Sequence, residues 1–246
     1  MKNLLFLTLL LLFSACKTNN FLADVQENSV RIEPALVEPD ADINALIAPY
    51  KVKLDATMNE VIGETAQSLP KGRPESLLGN WCADAVHQKS EDYYQQSIDF
   101  TFINDGGLRI PALNKGQITL GNMFELMPFD NMLVVLELDY ETLMKVFEQI
   151  ASKDGEHFSS SIRLIINNQK VQSVTINGEP FQKNRTYKMA TSDYLANGGG
   201  DFFFLKNKKR VNLDKFFRDA LIEFVKETTA QGKQINAQLE NRVTIE

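Results

Sequence analysis

From residue 61 onward the sequence switches between strand-like and helix-like patterns without a regular strand–helix rhythm. That irregularity limits the available folds more than any other feature, because a parallel βα architecture needs the two to alternate. Val61–Leu69, Ile98–Ile103, Met132–Leu138 and Thr186–Thr191 read as strands, and Ile118-Thr119 begins another short one. Ile162–Ile166 and Val171–Ile176 flank Asn167-Asn168-Gln169-Lys170 as a hairpin, and Asn177-Gly178 is a further turn signal. Arg242–Ile245 suits a closing edge strand. Helical spacing is present from Leu77 to about Gln88, where Glu75 or Ser76 supplies the cap, and in Gly121–Leu126 and Leu213–Thr229. Tyr140–Ala151 places Leu143, Val146, Phe147 and Ile150 on one helical face, and Asp40–Met58 forms one or two helices. The expected fold is α+β, a mixed sheet flanked by helices.

The first residues carry an address. Met1-Lys2-Asn3 precedes an apolar run, Leu4–Phe13, too short to span a bilayer, followed by Ser14-Ala15-Cys16. A cysteine directly after small residues resembles the bacterial lipoprotein signal, so residues 1–15 are expected to be removed and Cys16 to carry the lipid. Several acyl chains on one residue would hold the protein to a membrane of the cell envelope, facing the periplasm, without a spanning helix. Residues 16–40 are polar and aperiodic, as a flexible tether would be, leaving 41–246 as the folded domain. The formal charge of −6, with no basic stripe, argues against a nucleic-acid polymer as partner. Cys82 is left without a disulfide partner and sits among apolar helical residues, where a small buried side chain fits. His87 and His157 are the only imidazoles, and no carboxylates accompany them at ligand spacing, so no metal site is expected in this chain.

Three turns carry chemistry-bearing residues. Thr191–Phe203 holds three consecutive glycines between Asp193-Tyr194 and Asp201-Phe202, a place for positive φ or close approach of a ligand. In Asn104-Asp105-Gly106-Gly107-Leu108-Arg109 an arginine fork just past a glycine turn can grip a phosphate or carboxylate. Met127-Pro128-Phe129-Asp130-Asn131 offers a ring for stacking and an amide for a base edge. Taken singly, each also reads as an ordinary turn beside core aromatics.

Together with the helix Leu78–Ala85 (Leu-Gly-Asn-Trp-Cys-Ala-Asp-Ala), these turns follow one order. Asn104–Arg109 comes next, then Pro128–Asn131, then Tyr187–Gly199. That series resembles the C-terminal domain of the 5′-nucleotidase family over roughly Val61 to Phe204. The resemblance implies a nucleotide-binding half-site. Phe129 and Tyr194 would sandwich the base, and Asn104 and Asn131 would bond toward it. Gly106, Gly107, Asn197 and Gly199 would also belong to the substrate-binding set, and Arg109 would hold the phosphate or assist at the junction with the catalytic domain. Arg73 is a weaker second candidate for the phosphate because its register is off. An added glycine puts Asp201 one position later than the family's ribose-binding carboxylate, so Asp201 fills that role only if the loop adjusts. The family's catalytic residues lie in a metallophosphatase domain that holds two divalent metals, and its ligand motifs do not occur in these 246 residues. No catalytic residue is therefore expected here. The resemblance implies a substrate-binding subunit acting with a separate metallophosphatase polypeptide, or a stand-alone nucleoside or nucleotide binder.

Overall fold

Helix α1 (Ala41–Met58) opens the part of the chain that the computed structural model describes, residues 40–246. The expected signal peptide, the lipidated Cys16 and most of the tether lie outside the described residues. Ala48–Glu246 forms one unit; of the separate group Met1–Ile47 only Asp40–Ile47 are described, as the exposed first turns of α1.

The chain then runs β1 (Val61–Thr65), β2 (Leu69–Pro70), α2 (Leu77–Tyr94), β3 (Phe100–Ile103), β4 (Ala112–Leu113), β5 (Gly116–Thr119), α3 (Leu120–Leu126), β6 (Met132–Leu138) and α4 (Tyr140–Ala151). It continues through β7 (His157–Phe158), β8 (Ile162–Asn167), β9 (Lys170–Ile176), β10 (Glu179–Pro180), β11 (Tyr187–Ser192), α5 (Asp193–Ala196), β12 (Arg210–Phe216), α6 (Phe217–Ala230) and β13 (Val243–Ile245). The central sheet has the order β12-β6-β11-β3-β7, with β11 parallel to β3 and antiparallel to β6. A second sheet, β10-β9-β8-β13, pairs β13 in parallel with β8. The fold is thus α+β with mixed sheets, as the sequence pattern indicates.

Alternation along the central strands explains its two cores. Phe100 and Phe102 of β3, with Val134, Leu136 and Leu138 of β6, face Leu143, Val146, Phe147 and Ile150 of α4. Leu133 and Ile103 face the other way, toward α2, α3 and α6. Both faces are covered, which is why β6 reads as a nearly unbroken apolar run. Asp139 caps α4 by accepting the Thr142 amide at 2.8 Å, and Ser76, not Glu75, caps α2 by accepting the Gly79 amide at 3.1 Å.

Three boundaries differ from the sequence expectation, each through tertiary pairing. Val61–Leu69 is not one strand; β1 stops at Thr65, whose hydroxyl bonds the Gln67 carbonyl at 2.7 Å, and Leu69–Pro70 pairs separately with β4. Helix α2 continues past Gln88 to Tyr94 because polar Lys89 and Tyr93 meet Glu227 and Glu223 of α6 at 2.7 and 2.6 Å. Leu213–Phe216 belongs to an exposed, charge-rich edge strand, so α6 begins only at Phe217. The short strands β4 and β7 carry too few residues for a periodic signal. Cys82 is fully buried, as expected, and burial pushes its thiol pKa up.

Candidate functional site

Strand direction gathers the three ligand-type turns. The C-terminal ends of the parallel neighbours β3 and β11 and the N-terminal end of antiparallel β6 lie on one edge of the central sheet. Asn104–Arg109 leaves β3 there, Phe129–Asn131 enters β6, and Tyr194 follows β11. Backbone bonds hold the turns in place: Arg109 donates to the Leu126 carbonyl at 2.9 Å and Phe217 to the Asn131 carbonyl at 2.9 Å. The Asp193 carboxylate accepts the Met132 amide at 3.0 Å, linking the β6 entry to the Tyr194 turn.

Between them is an open cavity of about 380 Å³. Phe129 and Tyr194, 43% and 47% exposed, line it. Asn104 and Asn131 supply amides that take no side-chain hydrogen bond among the described residues, and Gly106 and Gly107 leave the floor open. Arg109 sits at the rim, its guanidinium 5.8 Å from the Phe129 ring centroid and its Nη1 3.3 Å from the Gly106 carbonyl. Arg109 also lines a neighbouring groove with Lys71 and Arg73, so the exposed cation stands between two depressions. Unpaired amides, half-exposed rings and an exposed arginine suit a small ligand with a flat heterocycle and an anionic group.

Other residues singled out in the sequence lie elsewhere. Gly198 and Gly200 take φ of +91° and +62°, conformations natural to glycine, and Asp201 follows at +69°. The Asp201 carboxylate pairs with Lys153, 3.0 Å away, and is not among the residues that line the cavity. Asn197 accepts Arg210 at 2.7 Å rather than lining the cavity. Gly199 has a packing role: a Cβ there would collide with the Tyr194 ring. The Tyr194 hydroxyl in turn accepts the Gly200 amide at 3.0 Å, a bond that phenylalanine could not make. Arg73 is spent on Glu156 at 2.8 Å and on the Lys153 carbonyl at 2.6 Å, so it braces the wall of the adjacent groove.

The Leu78–Ala85 helix is scaffold, and its polar residues explain themselves. Asn80 donates to Glu75 at 2.6 Å and to the Gln238 carbonyl at 2.8 Å. Asp84 meets Arg242 through both oxygens, at 2.8 and 2.5 Å. Gly79 leaves room for the His157 ring, which an added Cβ would overlap.

Sequence reasoning missed two supporting groups. Arg218, almost wholly buried, donates to Asp130 at 2.7 Å and to the Met127 carbonyl at 3.2 Å, fixing the loop that bears Phe129. Asp105 bonds His157 Nε2 at 3.2 Å and Lys71 Nζ at 3.1 Å. Neither group has a local sequence signal, since the partners are remote in the chain.

The Asp105 environment sets a measurable pH dependence. Burial pushes its carboxyl up, but the bonds from His157 and Lys71 more than reverse this, bringing the pKa from 3.8 to about 2. The folded pKa lies below the unfolded one, so the stabilisation is full above about pH 4 and is lost as the pH falls toward 2. A shift of this size gives at most about 2 kcal/mol, and solvent access to the side chain reduces that to about 1 kcal/mol. Denaturant titrations are expected to show a stability gap of that order between the wild type and Asp105→Asn at pH 6, closing toward pH 2.

Comparisons with known proteins give the family and the fold. The family model "5′-nucleotidase, C-terminal domain" matches residues 56–207. Cell wall protein Lmo0130 of Listeria monocytogenes is 26% identical over 92% of this chain and 32% of its own length. The 5′-nucleotidase of Mus musculus is 25% identical over 88% of this chain and 42% of its own length. Among solved structures, the 5′-nucleotidase precursor from Thermus thermophilus superposes with a TM-score of 0.72 at 24% identity. That match covers 86% of this chain and 44% of that one. The chain therefore spans less than half the length of these relatives. The chain belongs to the 5′-nucleotidase C-terminal domain family.

Proposed function

We propose that this domain is the nucleotide-binding half of a 5′-nucleotidase-type phosphohydrolase, working with a metallophosphatase carried on a separate polypeptide. The observation that supports the reading is the cavity where Phe129, Tyr194, Asn104, Asn131 and Arg109 converge. In it the base stacks on Phe129 and Tyr194, the asparagine amides bond its edge, and Arg109 meets the phosphate side. Stacking of this kind contributes ~1–3 kcal/mol per base in nucleic-acid systems.

The metals of such an enzyme do not fit the residues described. His157 is buried with Nε2 bonded to Asp105, and His87 Nδ1 bonds Thr101 at 3.1 Å. Phosphoryl transfer is thus assigned to the partner polypeptide, and this chain's residues bind and orient the substrate. The N-terminal sequence supports tethering through a lipid on Cys16, in the cell envelope and facing the periplasm. Among the described residues no helix is long and apolar enough to cross a membrane.

A second reading, a stand-alone periplasmic nucleoside or nucleotide binder, is favoured by the fact that both rings and both amides come from this one chain. Calorimetry with adenosine and its monophosphate separates the two. Binding seen only after a metallophosphatase domain of this family is added as a separate polypeptide supports the split enzyme. Micromolar binding by the chain alone supports the binder, and no binding in either sample sinks both readings.

A further inference from the structure

The turn that floors the cavity is built from poor material for holding a shape. Asp105-Gly106-Gly107 forms a single 3-10 turn in which two of three residues are glycine. Glycine loses the most backbone freedom on ordering, and these two offer no side chains to pack. Yet the turn must fix Asn104, whose amide lies directly over it, 3.4 Å from an added Gly106 Cβ and 3.3 Å from one on Gly107.

The only side chain in the turn is Asp105, and its N–H and both carboxylate oxygens are engaged by two remote segments, Glu156-His157 and Lys71. Its backbone N–H donates to the Glu156 carboxylate. Its Oδ1 takes His157 Nε2 at 3.2 Å, and its Oδ2 takes Lys71 Nζ at 3.1 Å. Lys71 also donates to the Leu108 carbonyl at 2.8 Å, bracing the residue after the turn. The far side is equally fixed: Glu156 is 4% and His157 1% exposed, and Arg73 holds Glu156 at 2.8 Å. His157 has its Nδ1 buried without a partner and its ring set against Gly79, so Asp105 is that ring's one polar contact among the described residues.

We infer that Asp105, clamped by Lys71, Glu156 and His157, is a positioning residue that sets the Asn104–Gly107 turn in its ligand-receiving shape. Asp105 need not touch the ligand; it acts through Asn104. The inference deepens the nucleotide reading above and rests on it for the ligand's identity, whereas the ordering of the turn can be measured without any ligand.

The test is amide hydrogen exchange on the full chain, comparing the wild type with Asp105→Asn, a near-isosteric change. The expected result is exchange faster by about tenfold at Gly107 and Leu108, whose amides bond the Asn104 and Asp105 carbonyls, with β3 and β11 unaffected. Affinity for adenosine monophosphate, measured with the metallophosphatase present, should fall by about tenfold in the same variant, with Tm changed by only a few degrees. Unchanged exchange at both amides overturns the inference. If Asp105→Asn does not fold, Lys71→Met removes one arm of the clamp at a partly exposed position, and its failure to speed exchange at Leu108 is equally decisive. A wild type that shows the protected turn but binds no nucleotide, alone or with the partner, defeats the nucleotide reading and leaves the clamp standing.

Discussion

Asp84→Ala is expected to lower the unfolding free energy of the domain by about 3 kcal/mol, and its Tm by about 10 °C. The effect is large because of what stays behind. Arg242 is 3% exposed, and its guanidinium is shared among both oxygens of Asp84, Glu240 at 2.9 Å and the Phe158 carbonyl at 2.8 Å. Removing Asp84 leaves a buried cation with one carboxylate where it had two. Arg242 also joins α2 to the strand β13 at the end of the chain, so the loss acts on two elements at once. Thermal unfolding followed by circular dichroism checks this; a Tm within about 2 °C of the wild type would mean that the pair is no better than a surface salt bridge.

Phe129→Ala has its large effect on binding and little on stability. The ring is 43% exposed and packs on no other aromatic side chain, while the Arg109 guanidinium stands 5.8 Å from it. Removing it therefore costs the fold little. If Phe129 is one face of a base sandwich, affinity for adenosine monophosphate falls about 10- to 100-fold, the equivalent of ~1–3 kcal/mol. Titration calorimetry with the metallophosphatase present reads the affinity, and a melting curve supplies the control. Equal affinity in wild type and variant would remove the base from this part of the cavity.

How much of the site could be read from the chain depended on how locally each feature is encoded. Asn104, Arg109, Phe129, Asn131 and Tyr194 each sit in a turn with its own glycine, proline or asparagine signal, and the sheet brings all five to one cavity. Helix α4 was equally legible, because Leu143, Val146, Phe147 and Ile150 repeat at helical spacing and all four are buried. Asp201 shows the limit. Composition places a carboxylate beside the glycines, but the direction it points is set by positive φ at Gly200 and Asp201 and by Lys153, 48 residues away. The clamp on Asp105 lies beyond sequence reading for the same reason: Lys71, Glu156 and His157 share no motif and meet because β7 pairs with β3 while β2, just before Lys71, pairs with β4. The edge strand β12 is hidden by its own exposure, since a charged alternating segment that buries nothing resembles the first turn of the helix after it.

The central claim is that this chain supplies the substrate-binding half of a two-chain phosphohydrolase. The most direct measurement is phosphate release from adenosine monophosphate by three samples: the chain, a metallophosphatase domain of this family made as a separate polypeptide, and the two combined. The account predicts no release by the chain alone and much faster release by the mixture than by the metallophosphatase alone, with the gain lost when Phe129→Ala replaces the wild type. A mixture no more active than the metallophosphatase by itself would contradict it.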